Sequence, residues 1–282
     1  MPQSRGLAGP AREPFGGARR QLRQPEPPIV MKQIIRSALA RAGLELTRTA
    51  DRRSAALADL TPADRDLIEH VEPFTMTSLD RRAGLLGAID HVVRHAIPGA
   101  IVECGVWRGG SMMLAALALM DRGDTSRDLW LYDTFEGMSE PGAEDRSASG
   151  ESAAAQLART PRGEGVWCEA GLDDVQANLW STGYPRERIH FVQGKVEDTI
   201  PGSLPSRIAL LRLDTDWYES TRHELQHLYP LLSRHGALVI DDYGHWQGAR
   251  QAVDEYFAAQ ADPVFLHRVD YTARLVIKQD GA

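Results

Sequence analysis

From residue 100 onward, short apolar runs alternate with segments whose apolar residues recur at helical spacing. Ala100–Cys104, Leu129–Asp133, Arg188–Gln193, Ile208–Asp214 and Ala237–Asp241 read as strands. They are almost continuously apolar, the pattern of strands covered on both faces. Between them the spacing predicts helices from about Ser111, and over Asp173–Trp180, Tyr218–Leu232 and Gln247–Ala258. Two further strands, near Val264–Arg268 and Ala273–Lys278, are expected to close the sheet as an antiparallel pair. Alternating strands and helices imply an α/β fold with a doubly wound, mostly parallel, seven-stranded sheet. Residues 139–166 are polar and rich in Gly and Pro, and read as a long mobile loop.

Upstream the pattern is helical. Thr61-Pro62 is an N-cap followed by proline at the first helical position, predicting a helix to about Val71. Ser78 caps a longer helix with Leu85, Leu86, Ile89, Val92 and Val93 on its apolar side, ending before Pro98-Gly99. Residues 31–48 form a basic amphipathic segment, read as a surface or oligomer-contact helix, with a membrane-surface helix as the alternative. Residues 1–30 are rich in Pro, Gly, Arg and Gln and are expected to be disordered, with Met31 a candidate true start. The expected organisation is a tail over 1–30, a helical cap or lid region over 31–96, and an α/β domain over 97–282.

A net charge of −7 argues against a nucleic-acid footprint, which needs a basic face. Cys104 and Cys168 are the two cysteines, too few for a disulfide scaffold and not spaced as a metal pair. Both are expected to stay reduced in the cytoplasm. No apolar run reaches the length of a transmembrane helix.

The chemistry sits at strand ends, where doubly wound sheets bind ligands. Glu103-Cys-Gly105-Val-Trp-Arg-Gly109-Gly-Ser111 follows a strand and opens a helix. Its glycines permit a sharp turn and close approach of a ligand. It lacks the Lys-Ser/Thr pair of a phosphate loop. Glu103 suits a cationic amino group such as that of a methionine moiety. Asp133 closes the second strand, where a ribose diol is usually gripped. Phe135 and Met138 are placed either for packing on an adenine or for packing in the core, and Val196, Glu197 or Asp198, after the third strand, either for contacting the adenine edge or for starting a helix. Asp214 and Asp216 end the fourth strand, and Asp241 and Asp242 the fifth. Acids this close repel unless protonated or neutralised by a hard cation such as Mg²⁺, Mn²⁺ or Ca²⁺. The alternative leaves them paired with Arg212 or Arg250, or capping helices. His245 adjoins the cluster as a candidate general base.

VECGVWRGGSM at 102–112, LYDTFEGM at 131–138, LRLDTDWYEST at 211–221 and IDDYGHWQGARQAVDEY at 240–256 resemble the macrocin O-methyltransferase family, sugar methylases of antibiotic biosynthesis. The resemblance covers about residues 75–260. It implies a Rossmann-like class I methyltransferase fold, S-adenosylmethionine as donor, Mg²⁺ (or Mn²⁺) as metal, and a hydroxyl acceptor on a glycosylated natural product. By position it implies that Glu103, Gly105 and Asp133 serve the cofactor, that Asp214, Asp241 and Asp242 bind the metal, and that Met76, Thr77 and Ser78 lie near the donor. The related catechol methyltransferases carry a lysine base after the first metal aspartate. Here that stretch reads Asp214-Thr215-Asp216-Trp217, leaving Asp214, Asp216 or His245 as the base.

Two rival readings remain at this level. Asp214-Thr-Asp216 also matches the Asp-x-Asp of metal-dependent glycosyltransferases, and a non-catalytic module could retain the cofactor pocket. A homo-oligomer is expected from the N-terminal amphipathic segment.

Overall fold

The computed structural model describes residues 56–279 except 164 and 262. The expected tail over 1–30, the amphipathic segment 31–48 and the start at Met31 lie outside the described residues. Among the described residues, no helix is long and apolar enough to cross a membrane.

Both predicted N-caps are present. Thr61 Oγ1 accepts from the Asp64 N–H at the start of α1 (Pro62–His70). Ser78 Oγ accepts from the Arg81 N–H at the start of α2 (Leu79–Arg94). Such a bond satisfies one of the donors that a helix start leaves without a partner. The alternating region then runs β1 (Ala100–Cys104), α3 (Gly110–Asp121), β2 (Leu129–Asp133), α4 (Ala153–Arg159), α5 (Leu172–Ser181), β3 (Ile189–Gln193), α6 (Val196–Thr199), β4 (Ile208–Leu213), α7 (Tyr218–Leu228), β5 (Leu232–Ile240), α8 (Gln247–Ala258), β6 (His267–Arg268) and β7 (Arg274–Ile277).

The sheet order is β3-β2-β1-β4-β5-β7-β6, with β1 to β5 parallel and β7 antiparallel to both β5 and β6. Strand residues alternate between two cores. Ile101, Leu129, Leu131 and Leu210 pack with α1, α2, α3 and α5 on one face. Val102, Cys104, Leu211, Leu213 and Ile240 pack with α6, α7 and α8 on the other. Ile68 of α1 and Leu86, Ile89 and Val92 of α2 belong to the first core, each at most 1% exposed. The division expected at residue 96 therefore does not separate two cores.

Two elements differ from expectation. The helix from Tyr218 stops at Leu228 and a 3₁₀ turn covers Tyr229–Leu231, because Pro230 has no N–H to continue the ladder. β5 begins at Leu232, through the polar Ser233, Arg234 and His235 that hid it. Residues 139–166 are an anchored strap rather than a loose loop. They contain α4 and bridge Arg146 to Ser152 and Ser147 to Trp246. Asp145, 1% exposed, accepts from the N–H groups of Gly142 (2.6 Å) and Tyr218 (2.8 Å), so it caps α7 from a distance. Trp217 Nε1 donates to the Ser139 carbonyl and the Gln247 N–H to the Arg146 carbonyl. Ala153 and Leu157 of α4 are buried against Trp217, Trp246 and Ala249. These partners are distant in sequence, so local composition gave no sign of them.

Candidate active site

β1 connects to β2 on one side, while β4 pairs on its other side, so the strand order reverses between β1 and β4. Gly105 lies at this switch point. Its φ is +79°, and a Cβ there would sit 2.0 Å from the Asp214 carbonyl oxygen, while the Asp214 N–H donates to the Cys104 carbonyl. Only glycine lets the two strand ends close in this way. A cavity of about 480 Å³ opens above them.

The structure brings most of the expected residues to this cavity. Met76, Thr77, Gly105, Ser111, Asp133, Val196 and Glu197 line it, together with Asp214, Asp216, Asp241, Asp242 and His245. Four residues expected near the cofactor do not line it: Ser78, whose hydroxyl caps α2 and donates to Asp270 (2.8 Å), and three others. Phe135 is 4% exposed and packs in the core, its ring 6.4 Å from that of Phe191. Gly109 is the left-handed residue before α3 and faces Leu179 and Val175 instead of a ligand. Glu103, 1% exposed, lies beneath the floor. It stands in register with Arg212 of β4, whose Nη1 donates to its Oε1 at 2.5 Å. Its Oε1 thus faces the Arg212 guanidinium, while its Oε2 is buried without a hydrogen-bond partner among the described residues.

Arg212 is the hub of the acidic cluster. The same Nη1 donates to Asp214 Oδ2 (2.7 Å) and Nη2 to Asp241 Oδ1 (2.6 Å). Arg81 of α2 donates to the other oxygen of Asp241 and pairs with Asp270. The pairing of these acids with Arg212 is thus present, but it is incomplete. Among the described residues, the ion pairs of Glu103, Asp214 and Asp241 are with Arg212 and Arg81. Ligand oxygens of Asp214, Asp241 and Asp242 lie within 4.8 Å of one another, and Asp242 Oδ2 is buried without a hydrogen-bond partner among the described residues. Arg250 stacks over Tyr243 instead.

Desolvation governs the titration of this cluster. Burial lifts the Asp214 and Asp242 carboxyls well above the usual range; Arg212 opposes this, and neighbouring carboxylates add to it. Asp216 is pushed up to about 7 by burial and then by Asp214. Its φ of +67° is strained for a non-glycine residue, a condition that folds retain at functional sites. Burial also raises Glu103 to about 7, against the pull of Arg212. His245 is held below its ordinary value by burial and by nearby Arg81. The Tyr271 hydroxyl lies 3.3 Å from its Nδ1.

Asp133 uses much of its carboxylate on the protein. Oδ2 accepts from the Val106 (2.6 Å) and Trp107 (3.2 Å) N–H groups, and Oδ1 from Phe135 N–H (2.7 Å). It therefore fixes the glycine-rich turn while keeping an edge on the cavity. Thr75, Arg81, Trp107, Lys195 and Tyr271 also line the cavity and were not foreseen. Arg212 was legible as a partner, since it shares the face of Asp214 two residues on. Arg81 and Tyr271 carried no such signal, because their neighbours here are remote in sequence.

Comparison with known proteins agrees with this arrangement. A profile of the macrocin O-methyltransferase family matches residues 18–277. The 8-demethyl-8-(2,3-dimethoxy-alpha-L-rhamnosyl)-tetracenomycin-C 4'-O-methyltransferase of Streptomyces olivaceus is 38% identical over 182 residues, 64% of this chain and 67% of that protein. The mycinamicin III 3''-O-methyltransferase of Micromonospora griseorubida is 33% identical over 64% of this chain and 69% of that protein. Among solved structures, the O-methyltransferase NovP superposes with a TM-score of 0.62 at 27% identity, covering 73% of this chain and 83% of its own. The calicheamicin methyltransferase CalS11, at 17% identity and a TM-score of 0.52 over 81% of this chain and 91% of its own, shares the fold. With the profile running from residue 18 to 277 and the acids at the strand ends in place, this chain belongs to the macrocin O-methyltransferase family and is a methyltransferase.

Proposed function

We propose that the chain moves a methyl group from S-adenosylmethionine to a sugar hydroxyl of a glycosylated natural product, with Mg²⁺ or Mn²⁺ held by Asp214, Asp241 and Asp242. The observation that carries the metal is the three-carboxylate cluster, whose charge the two guanidiniums do not match and in which Asp242 Oδ2 lacks a partner. An all-oxygen set suits a hard cation. The names of the relatives supply the acceptor class, since the first is named for a rhamnosyl-bearing tetracenomycin C. The family favours neither the glycosyltransferase nor the non-catalytic reading.

In this reading Asp133 accepts from a ribose hydroxyl, Val196 and Glu197 border the adenine, and Thr77 and Ser111 face the methionine end. When bound, a divalent cation would supply Lewis-acid polarisation of the acceptor hydroxyl. Asp216 takes the proton on its carboxylate. It lines the cavity two residues after Asp214, on a left-handed backbone, where a carboxylate can meet the acceptor hydroxyl. His245, paired with Tyr271, orients the acceptor. The chain's main contribution is alignment of the hydroxyl with the methyl group in a site sheltered from water.

Calorimetric titration tests the donor: heat is expected with S-adenosylmethionine and none with UDP-sugars, and the reverse removes the donor assignment. Full methyl transfer in EDTA overturns the cation. Asp242→Asn should weaken Mg²⁺ binding at least tenfold. Asp216→Asn should cut kcat by about 10²–10⁴-fold with Mg²⁺ affinity kept. A larger loss for His245→Ala than for Asp216→Asn transfers the base role to His245.

A further inference from the structure

Glu224, on α7, has no part in the chemistry above. It is 0% exposed, on the helix that packs into the second core, and beside the Cys104 thiol. An S–H is a weak donor. Its Oε2 has no hydrogen-bond partner among the described residues. A carboxyl in such a place is less favourable than an apolar side chain of the same volume. A buried polar group left half satisfied calls for an explanation.

Its one strong contact supplies it. The Thr215 hydroxyl donates to Glu224 Oε1 at 2.9 Å. Thr215 lies between Asp214 and Asp216, and all three line the cavity. The carbonyl side of this loop is fastened by the Trp217 N–H (2.8 Å) and the Ser220 hydroxyl (3.3 Å), both donating to the Thr215 carbonyl. The side-chain end of Thr215 is fastened by Glu224. Asp216 is strained at φ +67°, so the loop needs fastening from both sides to keep that conformation.

We propose that Glu224 is a positioning residue: through Thr215 Oγ1 it holds the Asp214–Asp216 loop so that Asp214 faces the cation and Asp216 faces the acceptor. This rests on the cation reading above. Groups bonded directly to a metal ligand typically change metal affinity by about 10–100-fold when lost, and Glu224, acting through the residue next to a ligand, belongs at the low end of that range. Glu224→Gln keeps an oxygen acceptor in place, and Glu224→Leu removes it while filling the space.

The test measures two quantities on each variant: the Mg²⁺ dissociation constant by calorimetry, and the urea midpoint in EDTA. Glu224→Gln should stay within about twofold of the parent in Mg²⁺ affinity. Glu224→Leu should bind Mg²⁺ about tenfold more weakly, yet unfold at an equal or higher urea concentration, since a buried half-satisfied acid is gone. A merely structural residue would not move the two readouts in opposite directions. Thr215→Val should weaken Mg²⁺ binding to the same extent, and Thr215→Val with Glu224→Leu should be no worse than either alone. Unchanged affinity in Glu224→Leu, or additive losses in the double variant, overturns the proposal while leaving the cation site intact. A parent that binds no Mg²⁺ overturns the cation reading itself, and this role with it.

Discussion

Replacing Arg212 by Met removes the charge from the centre of the acidic cluster while preserving the length of the buried stem. Arg212 is 3% exposed and reaches three carboxylates within 2.5–2.7 Å. Arg81 still neutralises Asp241 in the variant, but Glu103 loses its guanidinium. At the effective dielectric that describes protein sites, one such pair at about 4 Å between charges is worth roughly 4 kcal/mol before desolvation. Stripping one partner from a buried cluster typically costs about 3–5 kcal/mol. With a urea slope of about 3 kcal/mol/M, the midpoint should fall by about 1–1.7 M in EDTA at pH 8. Lowering the pH should shrink the loss. The freed carboxyls have folded pKa values above their unfolded ones, so their cost is absent below the unfolded value and grows as pH rises. Mg²⁺ should restore part of the stability by neutralising Asp214 and Asp241, but not Glu103, which does not line the cavity. A midpoint shift under about 0.3 M in EDTA, roughly 1 kcal/mol at that slope, would refute Arg212 as the charge that holds the cluster together.

Two more predictions address neighbouring points. Glu103 is raised from 4.5 to about 7, so the folded state keeps a proton that the unfolded chain releases between those values, and stability from this group declines as pH rises through that window. Relative to Glu103→Gln, the parent should therefore lose on the order of 3 kcal/mol between pH 4.5 and 7.5, read from urea midpoints in EDTA; a difference that stays flat with pH contradicts the assignment. Ile89→Ala, in α2 and 0% exposed, should lower global stability by about 2–5 kcal/mol in a single cooperative transition. A separate early transition would show instead that α1 and α2 are a detachable cap.

Much of this site was readable because its residues are local to strand ends. Asp133, Asp214 and Asp241 follow apolar runs, and period-two alternation fixes which face each takes. Thr61 and Ser78 announced two helix starts through the chemistry of capping. The counter-charges were harder. Arg212 is visible beside Asp214 in sequence, but its bond to Glu103 depends on the β1–β4 register. Arg81 lies 160 positions from its partner Asp241. The same holds for Glu103, where a motif glutamate after a strand suggested ligand binding, while the fold placed an arginine on it. Phe135 shows the limit of reading an aromatic near a site, since its ring packs in the core and does not line the cavity. The strap over 139–166 was misjudged because composition reports local tendencies, whereas its order comes from Asp145 and two tryptophans bonded far away.

The anchoring of that strap has a practical side. Asp145 reaches the start of α7, and a Cβ at Gly248 of α8 would sit 2.0 Å from Asp145 Oδ1. The strap borders the cavity through Ser139, Gly165 and Val166, so it is the natural piece to exchange when redesigning acceptor choice. It cannot be swapped as a stretch of loop alone. A graft must carry an acid equivalent to Asp145 into a host that has glycine opposite it, or the transplanted segment will collide with α8 and strip the cap from the helix behind Asp214. Chimeras between relatives should accordingly be chosen by that matched pair of positions before any attention is given to the residues that touch substrate.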